Sequence, residues 1–124
     1  MVLFDTNAIL RYILQDNKEM ADSVELQLSK EVAYILVEVI AEIVYVLSKV
    51  YKVERKLIAE IITDITQTNK IKVVNNNVVN YALEIFASSS LDFVDCLLVA
   101  YAKEEQYSIF TFDKKLQKYI LLAK

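Results

Sequence analysis

The amino-acid sequence predicts an α/β fold, a sandwich built on a mainly parallel sheet, and three observations carry that reading. Short apolar runs of strand length alternate with longer segments that are apolar at helical spacing, the pattern of parallel sheets joined by helices. Two of the apolar runs, Val2–Phe4 and Tyr107–Thr111, lead into aspartates, and the carboxyl edge of such a sheet is where ligands sit. The chain has 124 residues, 56% of them hydrophobic, which is enough for one sizeable core and far from a disordered composition.

Taken in order, Val2-Leu3-Phe4 reads as a buried strand that ends at Asp5-Thr6-Asn7, three good helix caps. Ala8 to Gln15 is helical, with Ile9, Leu10, Ile13 and Leu14 on one face and Asp16-Asn17 as the break. A second helix runs from about Lys18 to Lys30, and Val32 to Leu36 is again a buried strand. Glu38 to Tyr51 is apolar at nearly every position, and its length favours a helix over a strand despite its β-branched residues. Glu54 to Thr66 repeats Leu57, Ile58, Ile61, Ile62 and Ile65 at helical spacing.

Ile71 to Val74 is a short strand. Asn75-Asn76-Asn77 is a turn in which asparagine stands in for glycine, since it tolerates left-handed backbone. Helices follow at Val78–Ala87 and Asp92–Glu105, separated by the serine loop 88–90. Tyr107 to Thr111 reads as a further strand, Lys114 to Tyr119 as a last helix and Ile120-Leu121-Leu122 as a small edge strand. Without a repeat or a linker, the expectation is a single domain over residues 1–124.

Composition narrows the chemistry. The chain has no glycine, which excludes a P-loop and a dinucleotide fingerprint, and no histidine, which excludes histidine-based triads and zinc sites. The one cysteine, Cys96, makes no internal disulfide and suits a reducing compartment. Any catalysis must therefore run on carboxylates, hydroxyls, amides and lysines. No run approaches the roughly 18 apolar residues of a membrane span, and the N-terminus lacks the pattern of a signal peptide, so a cytoplasmic protein is expected. The net charge of −3 counts against nucleic acid unless something else supplies positive charge.

The acids fall at suggestive positions. Asp5 and Asp113 each follow a predicted strand, Asp92 and Asp95 lie in the first turn of one helix, and Glu42 sits among Ile40, Ala41, Ile43 and Val44. Like charges gathered without a nearby lysine or arginine need a cation, and oxygen ligands suit Mg²⁺ or Mn²⁺. Ions held in this way activate water against phosphodiesters. Taken singly, Asp5, Asp92 and Asp113 read better as helix caps than as ligands, whereas Glu42, expected to be buried among apolar neighbours, is the hardest to explain blandly. Glu38 reads as a helix-start acid and Cys96 as a core residue. The tyrosines read mainly as packing residues, with Tyr12 and Tyr45 open to a role in an RNA or partner groove.

Four segments together resemble the PIN domains, and most closely the VapC-type toxins of toxin–antitoxin pairs. They are Leu3-Phe4-Asp5-Thr6-Asn7, Ala41 to Leu47, Leu91 to Ala100, and Phe110-Thr111-Phe112-Asp113, in order and spread over essentially the whole chain. The resemblance implies a three-layer α/β/α fold and a metal-dependent ribonuclease. It places the family's four acids on Asp5, Glu42, Asp95 and Asp113, which would hold one or two Mg²⁺ or Mn²⁺ ions. Asn7 and Thr111 match the polar residues that accompany the first and last acids and orient ligands or water, and Asp92 matches a further acid of this subgroup. The resemblance also implies a homodimer, restrained by an antitoxin protein whose tail enters the site.

Two departures stand out. Val37-Glu38 replaces the proline or serine common near the start of the glutamate helix, and Gln106 replaces a common glycine; both leave the acids in place. Lys114, Lys115, Lys118, Lys49, Lys52 and Arg11 are the candidates for phosphate contacts. Haloacid-dehalogenase-like phosphatases also put an aspartate after the first strand, but they need a second acid where this chain has Asn7. The remaining rival is a non-catalytic PIN-fold module that binds RNA or a partner protein.

Overall fold

The computed structural model describes residues 1–124. It contains three parallel strands and seven helices, an α/β fold of the PIN-like kind. The strands are β1 (Val2–Leu3), β2 (Ala33–Ile35) and β3 (Ile71–Val73), in the spatial order β1-β2-β3. Val2 pairs with Ala33 and Leu3 with Tyr34, while Ala33 to Ile35 align with Ile71 to Val73. Parallel neighbours need crossover connections, and helices supply both. Helices α1 (Thr6–Leu14) and α2 (Lys18–Lys30) carry the chain from β1 to β2, and α3 (Val37–Lys49) and α4 (Arg55–Thr66) from β2 to β3. The chain then closes with α5 (Asn76–Ser88), α6 (Phe93–Glu104) and α7 (Lys114–Ala123).

Burial follows the pattern of the sequence. Ala33 and Ile35 of the middle strand are fully buried, and the helices turn Ile40, Ile43, Val44 and Leu47 of α3 and Ile58 and Ile62 of α4 inward. These side chains join those of α5, α6 and α7 in one continuous apolar core. Each large side chain taken fully out of water contributes about 1.5–3 kcal/mol, and truncating one such as Ile43 to alanine costs about 2–5 kcal/mol. No polar or charged residue is buried as a whole; the one buried side-chain polar atom without a hydrogen-bond partner is Arg11 Nε.

Three expectations need correction. The segment 107–111 forms no strand and pairs with no edge of the sheet, while its two ends are held by other parts of the chain. The Tyr107 N–H donates to the Tyr101 carbonyl, and the Thr111 carbonyl accepts from Gln117 Nε2 at 2.7 Å. Strand-forming composition has effect only where a ladder is available. Ile120-Leu121-Leu122 is not an edge strand either; it is the last part of α7, whose inward positions Leu116, Ile120 and Ala123 recur at helical spacing. Glu42 is exposed, because the inward stripe of α3 is 40, 43, 44 and 47 and position 42 falls on the opposite face.

Left-handed backbone, which glycine adopts at least cost, occurs at Gln15, Lys52, Asn75 and Gln106. Asn75 behaves as expected of the asparagine run, with φ 66°, while Asn76 and Asn77 already belong to α5. Gln106, with φ 58°, stands where the resemblance led one to expect a glycine.

Candidate functional site

Each of the predicted acids except Glu42 opens a helix, but they are used differently. Asp5 follows β1 and caps α1, its Oδ1 accepting from the Ala8 N–H at 2.9 Å. Asp113 caps α7 in the same way, accepting from the Leu116 N–H at 3.1 Å, and its own N–H donates to Thr111 Oγ1 at 3.1 Å. Thr111 thus holds the entry to α7 in place. Asp92 occupies the cap position of α6 without making a capping bond. That leaves its carboxylate unspent on the helix end, contrary to the capping role its position suggests.

Asp95 lies one turn further on in α6, half-buried. Burial pushes its carboxyl above the ordinary aspartate range, and the charges of Asp92 and Asp113 push it in the same direction. The starts of α6 and α7 therefore bring three like charges into one neighbourhood. An arrangement of this sign attracts cations. Desolvation together with repulsion between like charges is also the combination that marks functional carboxylates.

The other predicted residues fall into two separate groups. Glu42 Oε2 accepts from Thr6 Oγ1–H at 2.8 Å, which ties the start of α1 to the exposed face of α3. Thr6 was not singled out by the sequence pattern, because only the packing of α1 against α3 gives it a partner. Asp5 and Asn7 line a groove of about 400 Å³ with Arg11 and Asn17, while Arg11 pairs with Asp16 at 3.0 Å. Asp92 and Asp95 line a different groove, between α3 and α6. Lys115 Nζ donates to Ser90 Oγ, so one of the candidate phosphate-binding lysines is held against the loop that leads into α6.

Arg55 also escaped the sequence pattern. Its Nε donates to the Phe86 carbonyl at 2.8 Å and an Nη to the Leu91 carbonyl, and its guanidinium lies 3.8 Å above the Phe86 ring. Phe86 in turn meets Phe93 edge to face at 5.6 Å. Arg55 therefore pins the end of α5 and the residue immediately before Asp92, across a sequence distance that no local motif reveals. Cys96 lies beneath this loop, fully buried. Burial pushes its thiol up to about 11, which keeps it protonated near neutral pH and unsuited to nucleophilic work.

The donor set for a cofactor consists of oxygen alone, which suits a hard divalent cation. No three acids converge into a ready-made metal cage. Mg²⁺ commonly keeps several waters and takes only one or two carboxylates, the rest of its shell coming from substrate phosphates. The residues at the starts of α6 and α7 fit that mode of binding, and they do not fit an all-protein cage. No helix is long and apolar enough to cross a membrane.

No curated protein and no solved structure matches the chain. The family profile described as PIN domain matches residues 2–120. That fold is generally a nuclease fold, and its nucleases generally use divalent metals. The match takes in the three strands, α1 to α6, most of α7 and all the acids described above, and on that extent the chain belongs to the PIN domain family.

Proposed function

We propose that residues 1–124 form a single nuclease domain and that it is a Mg²⁺- or Mn²⁺-dependent endoribonuclease, a hydrolase of RNA phosphodiester bonds. In this reading it is the VapC-type toxin of a toxin–antitoxin pair, a cytoplasmic homodimer restrained by an antitoxin protein. The observation that carries the reading is the gathering of Asp92, Asp95 and Asp113 at two helix starts, with Asp95 already disfavouring its own charge. Like charges so placed favour the approach of a divalent cation that completes its shell with water and phosphate.

Within the reading, Asp5, Glu42, Asp95 and Asp113 hold one or two Mg²⁺ or Mn²⁺ ions, partly through water, and Asn7, Thr111 and Asp92 support them. A divalent cation, when bound, supplies Lewis acidity and lowers the pKa of water in its shell. The protein's own residues do the positioning. Thr6 holds Glu42 by its hydroxyl, and Thr111 fixes the Asp113 backbone. Arg55 anchors the turn before Asp92, so the α6 acids keep their place when a phosphate approaches. The acidic net charge fits RNA binding once cations neutralise the cluster and Lys49, Lys114 and Lys118 meet the phosphates.

Asp5→Asn tests the reading. Asparagine caps a helix about as well as aspartate, so the fold is preserved while the charge is lost. The expected result is metal-dependent cleavage of single-stranded RNA by the unsubstituted protein, suppressed by chelator and abolished by Asp5→Asn. Undiminished cleavage by the variant contradicts the assignment. A second reading, a non-catalytic module for RNA or a partner protein, draws support from one observation, the lack of a preformed cage of three acids.

A further inference from the structure

The groove between α3 and α6 has a volume of about 400 Å³ and is not accounted for by the acids alone. On the α3 side it is lined by Ala41, Val44, Tyr45, Ser48 and Lys49; on the other, by Asp92, Phe93, Val94 and Asp95, with Arg55 and Phe86 completing it. Val44, Phe86 and Phe93 are buried and make an apolar floor. Tyr45, with 63% of its surface exposed, and Val94 line the groove where it opens to solvent. Lys49 lies one helical turn beyond Tyr45 on the same face, and Ser48 beside it adds a hydroxyl.

Tyr45 and Lys49 share one wall of the groove, one helical turn apart on α3, and the α6 acids Asp92 and Asp95 stand on the other. An exposed aromatic ring, a cation and neighbouring acids able to draw a divalent ion complement the groups of a nucleotide in a strand, a π-face with phosphates on either side. Single-stranded nucleic acids are held by aromatic rings on which bases stack and by cations that follow the backbone. The volume is within the range of small-ligand sites. Tyr12, the other exposed-groove candidate among the tyrosines, lines a separate cleft with Ile13, Glu25, Ile61 and Ile65 and has no cation beside it.

We propose that the groove between α3 and α6 is a nucleotide subsite, which receives one unpaired base of single-stranded RNA stacked on Tyr45, with an adjoining phosphate on Lys49. The proposal rests on the ribonuclease reading for the nature of its ligand. It assigns Tyr45 and Lys49 to substrate binding, beside the acids and distinct from them. A paired base has both faces covered and cannot stack on Tyr45, so the subsite selects unpaired RNA.

The test is fluorescence anisotropy of a labelled, unstructured RNA of about 12 nucleotides, within the range that single-strand sites occupy. It is titrated with Mn²⁺ present into Asp5→Asn protein, so that cleavage does not intrude. Tyr45→Ala is expected to weaken binding about tenfold, the loss of one stacked base, while Tyr45→Phe binds like its parent because the ring is retained. Lys49→Ala weakens binding and flattens its dependence on salt, as expected when one phosphate contact is lost. Leu57→Ala, on exposed α4 surface away from the groove, leaves binding unchanged.

Equal binding by Tyr45→Ala and its parent overturns the subsite, and so does a loss by Tyr45→Phe as large as that by Tyr45→Ala. If the unsubstituted protein cleaves RNA while Tyr45→Ala keeps both its binding and its KM, the subsite falls and the nuclease reading stands. Binding that depends on Tyr45 in a protein that never cleaves leaves the subsite standing and removes the nuclease. No RNA binding by the parent overturns both. Capture of a basic peptide through Tyr45, with no RNA bound, overturns the subsite in favour of a protein partner.

Discussion

The start of α7 and the start of α6 present the same residue type in the same structural position with opposite results. Asp113 spends its carboxylate on the Leu116 N–H, and Thr111 secures it from behind. Asp92 makes no capping bond, although it stands at the corresponding place. An aspartate that caps a helix is explained by the backbone it serves. One that does not cap keeps its carboxylate free beside a second acid that burial already disfavours, with only the helix dipole to favour its charge. Asp5 resembles Asp113, and it is the packing around each helix start that separates the two kinds of acid.

The largest effect expected from this contrast is on cleavage. Asp95→Asn should lower metal-dependent RNA cleavage by about 100-fold or more, the scale on which removal of a key electrostatic group is felt. A variant with cleavage within a factor of two or so of the parent would break the contrast at its functional end. The next effect is on stability. Asp5→Ala and Asp113→Ala should each cost about 1 kcal/mol through the lost cap, read as a lower midpoint in urea, and Asp92→Ala should be close to neutral. Equal losses at Asp92 and Asp113 would mean that Asp92 caps α6 in solution.

A smaller effect follows from the charge on Asp95. Its folded-state carboxyl titrates above the unfolded value, so the ionised form weighs against the fold at neutral pH. Asp95→Asn should therefore raise the Tm slightly at pH 7 in the absence of divalent metal. The advantage should vanish as the pH falls through the carboxylate range, where the parent is protonated too. A lower Tm at neutral pH would contradict the repulsive environment. The smallest effect lies outside the site. Gln106→Gly relieves left-handed backbone at a non-glycine residue, and thermal unfolding should show a gain of about 0.5–1 kcal/mol.

The sequence pattern foretold most of the architecture where periodicity and burial coincide. The stripe Ile40, Ile43, Val44 and Leu47 in α3 and the run Ala33 to Ile35 in β2 each fit one structure only. It misled at Tyr107 to Thr111, which reads as a strand but joins no ladder, its ends held instead by Tyr101 and Gln117. Phe110 and Phe112 are left 87% and 86% exposed, packed only against each other at the surface. It misled at Glu42 because apolar neighbours in sequence are not neighbours on a helix face. The acids were visible as residues placed after strands and at helix starts. Thr6 and Arg55 were not, since each acquires its role from a partner more than thirty residues away.

The account depends on the acids at the starts of α6 and α7 taking up a divalent cation, and calorimetric titration with Mn²⁺ at neutral pH tests that directly. The prediction is saturable binding by the unsubstituted protein, weakened at least about tenfold in Asp95→Asn, the usual cost of disturbing a metal site. Absence of binding by the unsubstituted protein, or binding that Asp95→Asn leaves intact, would contradict it.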